Sequence, residues 1–228
     1  MKLKKTLASV SLSVLGLMIF GSHTAPSQAV PTKAKQIEFT AEVWADNWFA
    51  LYANGKLVGQ DSVSITTERS FNSETIQFTA TYPLTLGIIA KDYTQDASGL
   101  EYIGTSRQQI GDGGVIAQIK ETKSGKLVSA TSSKWKSLVI NTAPLNPTCV
   151  TSTNPVVDCK STSVPTPAGW STGSFNDSQW RSATTYSPQA VGVKDGFNTV
   201  NWSPIAQIVW GPDLKLDNTV LLRTKVAK

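Results

Sequence analysis

Residues 45–59 read ADNWFALYANGKLVG, and this stretch decides the fold class. Phe49, Leu51 and Ala53 alternate with Trp48, Ala50 and Tyr52, the period-2 pattern of a β-strand. Asn54-Gly55 follows, a pair that tolerates positive φ at both central positions of a tight hairpin turn. Lys56 to Val58 is then the returning strand. Upstream, Ile37, Phe39, Ala41 and Val43 alternate with polar residues in the same way, and Asp46-Asn47 interrupts the run.

Outward from this hairpin the same grammar continues. Strands are expected at Glu74 to Tyr82, Leu84 to Asp92, Val115 to Glu121 and Lys126 to Ala130. Two more are expected at Ile205 to Trp210 and Thr219 to Val226. Leu86, Ile88 and Ala90 alternate with Thr85, Gly87 and Ile89, so this segment is apolar on both faces, as a central strand is. Ser124-Gly125 marks a second hairpin turn. Ser174 or Asp177 is expected to cap one short helical turn, with Phe175 and Trp180 facing inward. No amphipathic helix of ten residues is evident. The last strand must return to pair with early ones, which makes an antiparallel β-sandwich, an all-β jelly roll with long loops.

Of the 228 residues, the first 29 read as a secretory signal peptide. Lys2, Lys4 and Lys5 precede the apolar stretch Leu7 to Phe20, and Ser27-Gln28-Ala29 offers small residues for cleavage. The apolar stretch is short for a membrane span. Residues 30–228 form the expected single sandwich domain, secreted to the extracellular side. Without the leader the net charge falls from +5 to +2 and the sole histidine, His23, is lost. Catalysis by Ser-His-Asp or Cys-His and histidine-ligated metals are thereby excluded. With so small a charge and no dense basic cluster, nucleic acid is not the expected partner, and no later apolar run spans a membrane.

Cys149 and Cys159 lie in TCVTSTNPVVDC, within a Pro-, Ser- and Thr-rich stretch at about 145–167. In an exported chain a close pair of this kind reads as a disulfide clipping a loop. A redox or metal pair is disfavoured by the absence of histidine and of CxxC spacing. Gly111-Asp112-Gly113-Gly114 superficially resembles a phosphate cradle, but no helix or Lys-Ser/Thr follows. Asn176-Asp177-Ser178 and Asn201-Trp202-Ser203 match the N-glycosylation pattern. The Lys-rich leader looks bacterial, so both read as chance matches.

Several segments together resemble one pattern. The run at residues 45–59 is similar to the hairpin of galactose-binding-like β-sandwich domains, the jelly rolls found as accessory modules of bacterial rhamnosidases and other carbohydrate-active enzymes. The strand LTLGIIAKDY, the segment Gly114 to Thr122 and the element Thr131 to Trp135 follow in the pattern's order. Gly169-Trp170, Phe175 to Trp180 and the strand ending Leu221 to Arg223 complete it. The match is one of order, spanning roughly Ile37 to Val226, and the cysteine loop at Thr148 to Thr162 departs from it. The resemblance implies a jelly roll, and a fold of this kind serves many functions.

The seven tryptophans all follow the leader. Trp135, Trp170 and Trp180 fall within the resembling motifs and are expected in the core. Trp44 and Trp48 flank Asp46-Asn47, and Trp202 adjoins Asn201. Aromatic faces stack on sugar C–H surfaces, and Asn and Asp bond hydroxyls. Trp44, Asp46, Asn47, Trp48, Asn201 and Trp202 are therefore the candidate ligand-binding residues, on two loops expected at one end of the sandwich. Asp92, Asp96 and Glu101, in KDYTQDASGLEY, are the candidate ligands of a structural calcium ion, although the spacing is not that of an EF-hand. No motif singles out a pair of catalytic carboxylates, so no enzyme activity is expected. The expected function is non-catalytic binding of carbohydrate or a glycosylated surface, with a separate protein as a possible partner. The alternative is a structural or adhesive matrix protein that binds other proteins.

Overall fold

The structure is a computed structural model and describes residues 34–67 and 69–228. The expected signal peptide lies outside the described residues. Among the described residues fifteen strands run in chain order. They are β1 (Ile37–Asp46), β2 (Trp48–Ala53), β3 (Lys56–Gln60), β4 (Ser73–Ala80), β5 (Leu84–Lys91), β6 (Leu100–Glu101), β7 (Gln109–Ile110), β8 (Gly114–Glu121), β9 (Leu127–Ala130), β10 (Lys136–Thr142), β11 (Thr162–Ser163), β12 (Arg181–Ser182), β13 (Thr184–Tyr186), β14 (Ile208–Trp210) and β15 (Asp217–Val226). The first sheet has the order β13-β14-β8-β1-β4, with β9 also on β8. The second has the order β11-β10-β15-β5-β2-β3, with β12 also on β10. A separate hairpin joins β6 and β7. All these pairings are antiparallel.

The two sheets pack face to face because each strand buries alternate residues. Phe39, Ala41, Val43 and Ala45 of β1 meet Phe49 and Leu51 of β2, Leu86 and Ile88 of β5, and Val220 and Leu222 of β15 in one core. The Asn54-Gly55 turn forms as expected, with φ of 49° and 83°. Asn54 also locks it from the side: its amide donates to the Thr81 carbonyl and its oxygen accepts from the Thr85 N–H. The C-terminal strand β15 returns to the middle of its sheet, between β10 and β5. Its neighbour β10 is not announced by alternation. Leu138, Val139 and Ile140 are consecutive apolar residues, and the register shifts twice between Val139 and Thr142.

Both outer faces carry a cover. Over the second sheet, Trp170, Trp180 and Phe175 pack on Tyr52, Ile89, Leu138 and Leu221. A side chain at position 87 would run into the Trp170 ring, at 2.8 Å from its nearest atom, so Gly87 lets the cover lie flat on β5. This explains why β5 is apolar on both faces. The helical turn expected near Ser174 and Asp177 does not form. The fully buried Arg223 instead takes the Thr172 carbonyl, the Phe175 carbonyl and the Asp177 carboxylate, and the segment runs as successive turns. The short helices lie elsewhere: α1 (Pro155–Asp158), α2 (Pro188–Val191) and single 3-10 turns at Pro147–Thr151 and Phe197–Thr199.

Cys149 and Cys159 are disulfide-bonded, with Cα atoms 5.4 Å apart. The bridge packs on Leu100, Ile103 and Ile110, and the Gln108 amide donates to the Val150 and Ser152 carbonyls. The clipped loop thus buttresses the β6–β7 hairpin. Thiol titration of the unfolded, unreduced protein should find no free sulfhydryl. Cys149→Ser with Cys159→Ser should cost about 3 kcal/mol in urea unfolding, the chain-entropy value for a ring of this size. A cost near zero would mean that the hairpin holds without the clip.

Candidate functional site

The chain crosses from the first sheet to the second through one residue, Asn47, between β1 and β2. The Asp46-Asn47 peptide is cis. Asn47 is buried there; its N–H donates to the Lys91 carbonyl and its side-chain oxygen accepts from the Tyr93 N–H at 2.6 Å. The crossing therefore pins the start of the loop after β5, and that loop begins with Asp92. On the other side, register places Asp46 opposite Gly114, which brings the loop 111–114 and its Asp112 alongside. A side chain at position 111 would meet the Asp92 carboxylate at 2.4 Å, so Gly111 is required by that close approach. A loop packed on carboxylates is unsuited to cradle phosphate.

Four acids converge at this end: Asp46, Asp92, Glu101 on β6, and Asp112. Asp92 is 4% exposed and neither of its side-chain oxygens has a hydrogen-bond partner within the chain. Asp46 is 2% exposed, and its Oδ2 has only the Lys194 ammonium, at 3.9 Å. Glu101 accepts from the Gln109 amide at 2.8 Å. Burial pushes the Asp92 carboxyl well above the usual carboxylate range, and the negative charges of Glu101, Asp46 and Asp112 push it further, while the backbone N–H of Tyr93 nearby draws it down. Asp46 is raised for the same first reason; Lys194 draws it down, while Asp112 and Glu101 raise it. Burial also raises Asp112, opposed by Lys194 and Lys215. Carboxylates held this way are either protonated or neutralised by a cation.

Asp92 and Asn218 also line an open polar cleft of about 410 Å³, with Lys91, Gln95, Asn141 and Thr219 around it. Asn218 Oδ1 is buried without a partner as well. Trp48 stands next to the cleft: it is the register partner of Lys91, it is half-buried, and the Lys91 ammonium lies 5.3 Å from its ring centre.

The residues singled out in the sequence are thus divided. Asp46, Asn47 and Trp48 meet Asp92 and Glu101 at this end. Asp96 stays apart, its carboxylate accepting from the Ser98 N–H at 2.8 Å in a local turn. Trp44 is fully buried, and its indole N–H donates to the Phe71 and Asp195 carbonyls; its ring offers no stacking plane. Trp202 and Asn201 lie over the outer face of the first sheet. There Trp202 packs on Phe197 with ring centres 5.9 Å apart, and the Asn201 carbonyl accepts from Gln118. Asp112 was missed because its only signal, an acid within a glycine loop, acquires meaning through the pairing of β8 with β1.

Among the described residues, no group of three or more His, Cys, Asp or Glu side chains is placed to hold a metal ion, and no helix is long and apolar enough to cross a membrane. Compared with known proteins, the chain matches no described family, no curated protein and no solved structure.

Proposed function

We propose that the chain is an exported, non-catalytic carbohydrate-recognition domain of the galactose-binding-like kind, with a calcium ion holding its binding loops. The carrying observation is Asp92: a buried carboxylate with both oxygens unpartnered, in the wall of an open polar cleft beside an accessible tryptophan. Calcium takes carbonyl and amide oxygens as well as carboxylates. Asp92 and Asp46 supply the charge, and Glu101 and Asp112 supply it from the two loops that flank them. The ion would tie the loop after β5, the β6–β7 hairpin and the loop before β8 into one rigid rim. The sugar then lies in the cleft, one face toward Trp48 and its hydroxyls toward Lys91, Gln95 and Asn141. The acids are clustered and buried rather than set across a cleft from one another, which supports binding over hydrolysis.

The test is a glycan array on the secreted protein with calcium and with EDTA, followed by titration of the best oligosaccharide. Trp48→Ala should weaken binding by about 1–3 kcal/mol, the scale of one aromatic anchor, with little change in melting temperature. Absence of any glycan ligand in both conditions would sink the proposal. It would favour the adhesive-protein reading, which draws on Val156 and Val157, each 62% exposed at the tip of the disulfide loop.

A further inference from the structure

A second cleft, of about 700 Å³, opens between the two sheets where β15 ends. Val226 pairs with Leu84 there, whereas Thr219 pairs with Lys91 beside Trp48. Roughly 23 Å of strand therefore separates this cleft from the acid cluster. Its walls are strand edges. The run Val128 to Ala130 of β9 lines one side, and the run Thr224 to Ala227 lines the other. Successive side chains of a strand point to opposite faces, so an edge presents such a run where a face does not. The floor is apolar: Trp135 is 1% exposed, and Val128 and Val226 pack on the core.

Register explains why the β15 edge is open. The Asp92 N–H donates to the Asn218 carbonyl, which turns the main chain of Asn218, and of every second residue as far as Val226, toward β5. Lys225 therefore turns its N–H and C=O the other way. The neighbour on that side, β10, begins only at Lys136, opposite Arg223. Among the described residues nothing bonds to those two groups of Lys225. The facing edge is already closed at Ala130, whose carbonyl accepts from the Trp135 indole N–H at 2.9 Å. An extended chain entering the cleft thus has β15 to pair with.

The cleft also specifies what that chain carries. Lys134 and Lys225 are exposed and line it, with no Asp or Glu among the lining residues. Neither lysine has an ion-pair partner among the described residues. Thr224 and Val226 continue the inward face of Val220 and Leu222, so Lys225 lies on the outer face of its sheet. A residue added opposite Lys225 shares that outer face, and the residues before and after it point to the apolar floor. An apolar small molecule would leave the Lys225 main chain without partners, and a basic segment would meet two ammonium groups. From this geometry we infer a docking site for an extended acidic segment of another protein. The segment adds as a short strand to the free edge of β15, with an acidic side chain opposite Lys225 between two apolar ones. The site depends on neither calcium nor glycan, and it leaves the cleft beside Trp48 open.

The experiment is an NMR titration of the ¹⁵N-labelled protein with the peptide acetyl-Thr-Val-Glu-Val-Thr-amide at millimolar concentration. Two further peptides are compared, one with Lys in place of Glu and one N-methylated at the Glu nitrogen. The Glu peptide should shift the Lys225 amide and the Trp135 indole signals and leave the Trp48 indole unmoved. The Lys peptide should bind several-fold more weakly. N-methylation keeps the charge but removes the donor to the Lys225 carbonyl, and it should abolish binding. Lys225→Glu, a change at an exposed side chain, should reverse the preference, so that the Lys peptide binds better than the Glu peptide. The site is refuted if the Glu peptide leaves Lys225 unmoved, or if the N-methylated peptide binds as tightly as its parent. An unchanged preference in Lys225→Glu refutes it too. A further refutation would come from sedimentation: if the protein alone dimerises and Lys225→Glu dissociates the dimer, a second copy fills the cleft and not another protein.

Discussion

Trp44→Ala should lower the stability of the protein by about 3–5 kcal/mol, the cost of deleting a large ring from a packed interior. The ring is fully buried between β1 and the segment that covers it. Its loss opens a cavity against Phe197 and Ile116 and leaves the Phe71 and Asp195 carbonyls without their shared donor. Urea unfolding should show the whole loss in the midpoint, with a melting temperature about 10 °C lower or more for a domain of this size. Trp44→Phe keeps most of the packing and removes only the hydrogen bonds, so it should cost about 1–2 kcal/mol. The competing outcome is specific. If Trp44→Ala melts like the parent but loses glycan binding, the ring is a ligand contact and its place in the cover is wrong.

The second large effect concerns Asp92 and the pH dependence of stability in the absence of divalent cations. The folded-state pKa of Asp92 lies above its unfolded value. Its contribution is therefore fully present below the unfolded pKa, near 4, and is lost as pH rises through the raised folded value. Asp46 and Asp112 act with the same sign, moderated by Lys194 and Lys215. In EDTA the stability should thus fall from about pH 4 toward neutrality, opposite to the ordinary carboxylate trend. Calcium at a hundred times its dissociation constant should restore about 2.7 kcal/mol at neutral pH, and its uptake should release protons. Asp92→Asn removes the uncompensated charge while keeping the shape. In EDTA at pH 7 it should stabilise the protein by about 3 kcal/mol, the scale of a buried charge left alone, and calcium should then add nothing. Melting curves insensitive to EDTA, together with stability that does not fall above pH 4, would leave the four acids without an ion.

Much of the fold was legible because its signals are local. Alternation at Phe49, Leu51 and Ala53, the Asn54-Gly55 turn and the two-faced apolar run of β5 each arise within a few residues, from backbone sterics and the pleat. The disulfide was legible from two cysteines in one short loop of a chain whose leader reads as a secretory signal. β10 was not, because its consecutive apolar residues and shifted register have no period. The helical turn near Asp177 failed for a long-range reason: Arg223, far along the chain, claims the carbonyls and the carboxylate that a helix start would have used.

The candidate site divides along the same line. The sequence alone determined the residue types, the all-β class and the hairpin at Asn54-Gly55. It also brought Asp46, Asn47 and Trp48 to notice as a polar break flanked by aromatics. Only the tertiary structure decided which tryptophan is exposed. Trp44 and Trp48 are four residues apart and would share a face in one continuous strand, but the chain changes sheets at Asn47. Trp44 is thereby turned to the outer face of the first sheet, under a cover, and Trp48 to the second, beside the cleft. Asp46, Asp92, Glu101 and Asp112 likewise come from four separate segments. Their approach is set by the pairing of β1 with β8 and by the Asn47–Tyr93 hydrogen bond, long-range contacts that leave no trace in local periodicity.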